Sequence, residues 1–358
     1  MNTVAYWLAF QSVGLGWQSL QPLLQHFGSI ESLWASSNHD LRVTGASPKL
    51  IAKIEAARAR DVNQINHQIE LPDTAVLTLD HPHYPALLRE TASPPLVLFV
   101  RGNLSALSHR CLTVVGTRTP SSYGLRAVRL ITEPIAADGV TIVSGLAYGI
   151  DAAAHQAALA SRGATVAVLG SGVDTITPYG NHALGLAILE SGGAIISEYP
   201  PGTEPQKHHF PQRNRIISGL SRATVIVEAG VKSGALLTAR FALDENRELF
   251  AVPGPIDQEK SAGPNNLLKL GAAPVTSADD LRAALGLDNH RLVTETVELR
   301  ADSPAEAAVL RLLAEPRHVD ELVAISTLET SVINATLSLL EMKGRVRHLG
   351  GMHYIRIP

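Results

Sequence analysis

Four glycine-rich stretches of the chain set cations and small polar side chains beside flexible backbone, a combination suited to holding phosphate. The first, VVGTRTPSSYGLRAV (114–128), lets the backbone come close at Gly116. It presents Thr117 and Arg118 next, then leads through Ser121, Ser122 and Gly124 into a helix. Amides at a helix start attract phosphate, and an arginine can add a bidentate contact. The second, SGLAYGIDAAAHQAAL (144–159), brackets a tight turn with Gly145 and Gly149, and Asp151 is expected to cap a helix carrying His155. An Asp and a His four apart invite a catalytic reading. No serine or cysteine nucleophile is fixed beside them, and a capping aspartate with a packed histidine explains both. The third, GSGVDTITPYGNHAL (170–184), places Asn181 where it can orient a loop or touch a ligand. Asp174 is the residue type that holds a ribose in dinucleotide sites, but it does not end the second strand. The fourth pairs HFPQRNRIISGLS (209–221) with EAGVKSGALLTARFALDENR (228–247), setting Gly230, Lys232, Ser233 and Gly234 between a strand end and a long helix. Neither G-x-G-x-x-G nor G-x-x-x-x-G-K-[ST] is completed, so no nucleotide fingerprint is present.

The whole-chain balance is compatible with this chemistry. A net charge of −3 is weak testimony against an anionic partner, because phosphate meets a local patch and not the average. Residues 205–222, PQKHHFPQRNRIISGLSR, hold Lys207, Arg213, Arg215 and Arg222 with no acid. The cations are interleaved with Phe210, Ile216, Ile217 and Leu220, so the segment must be partly buried. A charge beside a buried element usually has a partner. A hydrophobic content of 45 % and a charged content of 18 % describe a globular chain. Cys111 is the single cysteine; it is expected to be a buried small hydrophobe in a reducing compartment. No His/Cys cluster has zinc spacing. The first thirty residues carry no charge other than the terminus, yet Gln11, Ser12 and Gly14 interrupt any signal-like apolar run. Nothing approaches the about 18 apolar residues that a membrane span needs. A soluble, cytoplasmic protein is expected.

At 358 residues, two or three domains are the natural division. Residues 1–70 alternate apolar and polar at helical spacing through Leu8, Leu15, Leu20, Leu23, Leu33, Leu41, Ile51 and Ile54, with SVGLG and VTGAS as glycine hairpins. Helical modules of this kind can hold a DNA backbone through glycine amides, although bundles use glycine turns for many reasons. After a proline-flanked strand, LVLFV (96–100), six runs alternate with helical stretches: LTVVG (112–116), TIVSG (141–145), TVAVLG (165–170), AIISE (194–198), TVIVEA (224–229) and LFAVP (249–253). Continuous apolar strands separated by helices predict a parallel sheet buried on both faces, a Rossmann-like doubly wound α/β domain over 75–286. Ligands of such sheets bind beyond the carboxyl ends of the strands. The leucines and ring of the helix after the lysine loop, Leu236, Leu237, Phe241 and Leu243, are expected to pack on the sheet. Residues 287–302 read as a linker. Over 303–358, three helices and a hairpin turning at Gly350-Gly351 make a winged helix.

Together these stretches resemble the DprA/Smf family of DNA-processing proteins. The likeness rests on VVGTRTPSSYG, SGLAYGIDAAAH, LGSGVD, ISEYPPG, HFPQRNRIISGLS, VKSGALLTARFALDENRELFAVPG and GPNNLLKLGA, and is strong over about residues 75–285. It implies an extended Rossmann fold that binds single-stranded DNA in a basic pocket without a cofactor. It also implies a homodimer built through that domain and partnership with the RecA recombinase in natural transformation. Carried over by motif, Arg118 is the arginine of G-[ST]-R, Lys232 the lysine of K-S-G, and Arg213 and Arg215 flank Asn214 in or beside the same pocket. The expected strand-binding set is Gly116, Thr117, Arg118, Tyr123, Ser144, Gly145, Asn181, Arg213, Asn214, Arg215, Lys232, Ser233 and Gly234. One departure is visible: the family often has Tyr-Pro where this chain has Thr177-Pro178, with Tyr179 displaced by two.

Two rival readings remain on sequence grounds. Rossmann-like nucleoside-monophosphate phosphoribohydrolases use a P-G-G-x-G-T-x-x-E loop with a catalytic glutamate, which this chain lacks. A transcription regulator would read duplex DNA through the winged helix. Its recognition helix, about 329–343, offers only Lys343 as a cation and Asn334 as an amide, few donors for a major groove.

Overall fold

A computed structural model of the chain describes residues 2–69, 71–287, 302–313, 315–326 and 328–356. It divides into two compact units, residues 1–287 and 288–358. Apart from Leu287 and Asp302, the expected linker lies outside the described residues, as do the last two residues of the expected wing.

Nine strands form the sheet of the first unit: β1 (Thr74–Thr78), β2 (Val97–Gly102), β3 (Cys111–Val115), β4 (Thr141–Ser144), β5 (Thr165–Val168), β6 (Ala194–Ser197), β7 (Ala223–Ile226), β8 (Glu248–Ala251) and β9 (Ala273–Pro274). Their order is β1-β2-β6-β5-β4-β3-β7-β8-β9. From β6 to β9 every pairing is parallel; β1 and β2 run antiparallel at one edge. The six strands read from 112 to 253 are all present, and β3, β4, β5, β6 and β7 are buried along their whole length. Burial on both faces is why these runs are apolar throughout and β-branched, without polar alternation. The edge strands β1 and β9, only partly buried and exposed respectively, have no such signature. Winding proceeds from β3 to β6 in one direction and from β3 to β7 and β8 in the other. The reversal lies between β3 and β7, so a crevice must open beyond their carboxyl ends.

Six short helices fill residues 2–69, with Ser29, Ser37 and Ser47 accepting hydrogen bonds from backbone amides of the helices they precede. Their buried side chains, among them Trp7, Phe10, Leu20, Leu33 and Ile54, belong to one continuous core with Leu77, Val97 and Phe99 of β1 and β2. Cys111 is buried in β3 as expected, and desolvation pushes its thiol up to about 12. No helix among the described residues is long and apolar enough to cross a membrane.

The helix Ala235–Asp244 departs from expectation. Ala235, Thr238, Ala239 and Ala242 are its buried residues, whereas Leu237 and Leu243 are exposed and Leu236 and Phe241 only half-buried. Small residues form the contact face because this helix also packs closely against the helix His209–Gly219.

The second unit holds the helices Pro304–Leu312, Val319–Ile325 and Thr330–Met342 around a core of Val309, Leu310, Leu322, Ile333, Leu337 and Leu340. Strands β11 (Val346–Gly350) and β12 (His353–Arg356) make the expected hairpin, with Gly350 and Gly351 both at positive φ. A short β10 (Arg317–His318) pairs with β12 and extends the wing to three strands.

Candidate nucleic-acid interface

The loop after β3 is clamped from two sides. Thr117 donates its amide to the Glu228 carbonyl at 2.6 Å, and its own carbonyl accepts from Ile150 at 3.1 Å. A Cβ at Gly116 would meet Ile150 at 2.7 Å and the Glu228 carbonyl at 2.8 Å. Gly149, at φ +82°, would bring a Cβ within 2.3 Å of the Thr117 carbonyl, so glycine alone fits there. Held this way, Arg118 faces a cleft of about 620 Å³ whose walls include Gly116, Ala147, Lys207, Phe210, Asn214, Ser233, Gly234 and Thr238. A neighbouring recess of about 260 Å³ shares Arg118, Phe210 and Arg213 and adds Gly145, Tyr148, Thr177, Pro178 and Pro205. The Arg118 guanidinium lies 5.9 Å from the centre of the Phe210 ring, a cation–π distance. The larger cleft lies at the switch point, between the loops after β3 and β7, and the recess lies beside it beyond β4 and β5.

Beneath them is a buried brace. Arg213, 4 % exposed, donates from Nη1 to the carbonyls of Gly145 (2.7 Å) and Val168. Asp151 is buried beside it and accepts from the Gly145 amide at 3.1 Å. Burial pushes the Asp151 carboxyl above its ordinary range; the Arg213 charge and the amides of Ala147, Gly145 and Gly116 oppose this. Desolvation brings the Arg213 guanidinium down to about 10, while Asp151 supports its charge. Asp151 therefore does not cap a helix. The residue preceding the helix Ile150–Ala160 is Gly149, and the carboxylate ties the ends of β3 and β4 together. His155 is packed, as expected, with Nδ1 at 2.7 Å from Thr165 Oγ1.

Other expected site residues take different places. Arg215 lines neither space: it pairs with Glu198, a buried acid from the loop after β6 that the basic segment itself could not reveal. Ser144 is fully buried and donates to the Val114 carbonyl at 2.7 Å, so it fixes strand ends and presents nothing to a ligand. Gly145 lies flat against Arg213, where an added Cβ would fall 2.2 Å from Nη1. Tyr123 donates to the Pro253 carbonyl at 2.6 Å, outside both spaces. Asn181 donates to the Leu146 carbonyl at 2.8 Å and steadies the loop after β4. Asn214 lines the cleft and reaches the Gly234 carbonyl at 3.3 Å, tying its helix to the lysine loop. Lys232 is exposed, immediately before the cleft residues Ser233 and Gly234.

The helix start at Ser121 is already occupied. Ser121 donates its amide to Glu228 Oε2 at 2.8 Å and its hydroxyl to Oε1, so an internal carboxylate stands where phosphate was expected. Asp174 accepts from the Gly202 amide at 2.9 and 3.0 Å and holds no ribose position. Tyr179 is 89 % exposed, while Thr177 and Pro178 line the recess. Lys207, Phe210 and Tyr148 belong to the site although they were not singled out as contacts. The signal was available: a lysine and a ring closely precede the R-N-R triplet, and Tyr148 sits inside the second glycine stretch.

A family profile described as DNA recombination-mediator protein A matches residues 75–286, and one described as the DprA winged helix domain matches 293–352. The chain belongs to the DprA family. Protein Smf of Synechocystis is 38 % identical over 98 % of both chains, and DNA processing protein DprA of Bacillus subtilis is 40 % identical over 65 % of this chain and 75 % of its own. Among solved structures, DprA of Streptococcus pneumoniae superposes with a TM-score of 0.68 at 34 % identity, covering 77 % of this chain and 95 % of that one. DprA of Helicobacter pylori, whose structure concerns its single-stranded DNA binding mode, gives 0.54 at 28 % identity over 60 % and 96 %. In this DprA chain the profile for the sheet domain spans all the residues of the cleft.

Proposed function

We propose that the cleft binds the backbone of single-stranded DNA, that the bound strand is passed to the RecA recombinase, and that the protein acts by binding and not by catalysis. One observation carries the reading: Arg118 and Lys207 face a glycine-walled cleft whose single carboxylate, Asp151, is held by backbone amides under the charge of Arg213. Two cations with no free acid attract phosphate, and the Phe210 and Tyr148 rings beside them give unpaired bases a surface on which to stack. A duplex hides those base faces. The single-strand binding of the Helicobacter pylori relative supports the same assignment. A cytoplasmic homodimer joined through the sheet domain is part of this proposal, as are contributions from the exposed Lys232 and from Ser233 and Gly234. The contrary reading, a winged helix that reads duplex DNA, loses its one helix cation. Lys343 is bonded to Asp302 at 2.7 Å and Glu306 at 2.6 Å.

The test is anisotropy of a labelled single strand of about 20 nucleotides and its duplex across a salt series. A charge-assisted hydrogen bond to phosphate contributes about 1.5–3 kcal/mol, so Arg118→Ala is expected to weaken single-strand binding about 10- to 150-fold. The log–log salt slope should also fall by about 0.7 for each phosphate left without its cation. Lys207→Ala should behave alike, more weakly. Equal binding of strand and duplex, untouched by either substitution, would remove the cleft from consideration.

A further inference from the structure

We propose that a second copy of this chain docks on the third helix of the winged module, so that the helix usually assigned to reading DNA is a protein contact. On Thr330–Met342 the buried face is Ile333, Thr336, Leu337 and Leu340. Away from it, Val332, Ala335, Leu339 and Met342 are all exposed, Leu339 at 44 % and Met342 at 86 %. Their spacing of three, four and three residues is that of alternate seam positions in a two-helix pairing, a stripe narrower than the core face of a globular helix. A groove of about 330 Å³ runs along it, lined by Ser331, Val332, Ala335, Thr336 and Leu339.

Charge and size argue for a copy of the same helix as the occupant. Beside the stripe stand Ser331 and Ser338, exposed, short and uncharged, so two such helices approach without like-charge repulsion. The N-terminal end carries the exposed acid Glu329, and the exposed Arg347 follows the C-terminal end. Lys343 is already neutralised by Asp302 and Glu306. An antiparallel two-fold pair sets the Glu329 end of one copy against the Arg347 end of the other and opposes the helix dipoles. DNA suits the face poorly, because it offers phosphate no free cation along the stripe. A contact of about 20 Å of helix buries less than the roughly 800 Å² per partner of a standard interface. It is therefore weak alone and acts between molecules already held close together.

The test uses the full chain with its native Cys111, whose buried thiol is unreactive. Ser338→Cys lies near the middle of the pairing and is expected to form a disulfide-linked dimer under mild oxidation at a concentration on the order of 100 µM. Glu321→Cys, on the preceding helix, should not. Adding Met342→Glu, an exposed position that cannot upset folding, should cut the Ser338→Cys dimer yield at least about tenfold, and Leu339→Glu should do the same. Equal cross-linking of both cysteines, no dimer from Ser338→Cys, or a yield unchanged by the glutamates would overturn the proposal. So would loss of duplex binding in Met342→Glu with no cross-link in Ser338→Cys, which would return the face to nucleic acid.

Discussion

Replacing Asp151 by alanine is expected to lower the unfolding free energy of the sheet unit by roughly 1–3 kcal/mol or more, the cost of leaving buried amides without an acceptor, raised by the loss of the negative charge that supports the Arg213 guanidinium. The carboxylate does two jobs. It balances the Arg213 guanidinium, and it accepts hydrogen bonds from the amides of Gly145, Ala147 and Gly116 at the ends of neighbouring strands. Truncation leaves a buried cation without its counter-charge and buried amides without an acceptor, and each of these is costly. Asp151→Asn keeps an acceptor and should lose less. The informative variant is Asp151→Ala combined with Arg213→Met: an apolar side chain of similar length removes the stranded charge and should recover a large share of the loss. Urea unfolding with the m-value unchanged is the measurement. A cost under about 1 kcal/mol for Asp151→Ala would mean that the brace does not hold the strand ends, whatever its appearance. Single-strand affinity should fall alongside stability, since Gly145 and Ala147 form the walls against which Arg118 is set.

That brace also shows where sequence reading stops. The sheet was legible because burial on both faces leaves its mark residue by residue: each of the runs Leu112–Val115, Ile142–Val143 and Val166–Val168 reports its own environment. The cleft was legible as glycine and cation spacing after those runs. Which cation meets ligand was not legible, because that depends on partners distant in the chain. Arg213 and Arg215 are two residues apart on one helix. One turns inward onto the carbonyls of Gly145 and Val168, with the Asp151 charge in support, and the other pairs with Glu198. Nothing local distinguishes them from Arg118, which keeps its guanidinium on the cleft. The helix start at Ser121 misled for the same reason, since its anion is Glu228, supplied from the far side of the switch point. Likewise, Leu237 and Leu243 stand about a third of a turn apart on their helix, and their hydrophobicity alone does not say which face is buried. Packing between close helices decided in favour of the alanines.

Acid is expected to destabilise the sheet unit through His155. Burial, with the Arg213 charge second, pushes its imidazole down to about 3 from an ordinary value near 6.5. The hydrogen bonds explain why a second proton is unwelcome. Thr165 donates its hydroxyl to the Ile142 carbonyl, so the Thr165 oxygen must accept from His155 Nδ1–H. The bare nitrogen is then Nε2, which is buried and has no hydrogen-bond partner. Protonation there would create an unpaired donor and a second positive charge near Arg213. Because the folded value lies below the unfolded one, the contribution is complete above about pH 6.5 and is lost as pH falls towards about 3. Each unit in that window costs about 1.4 kcal/mol, so moving from pH 7 to pH 5 should remove about 2 kcal/mol from this residue alone. The difference between wild type and His155→Asn isolates this residue's share and is the proper readout. Asparagine can keep a donor towards Thr165 and cannot be charged. It should be less stable at pH 7, where its smaller volume leaves a void, yet show a pH 7-to-5 loss smaller by about 2 kcal/mol. Identical pH slopes for the two proteins would show that His155 is not held neutral by its surroundings.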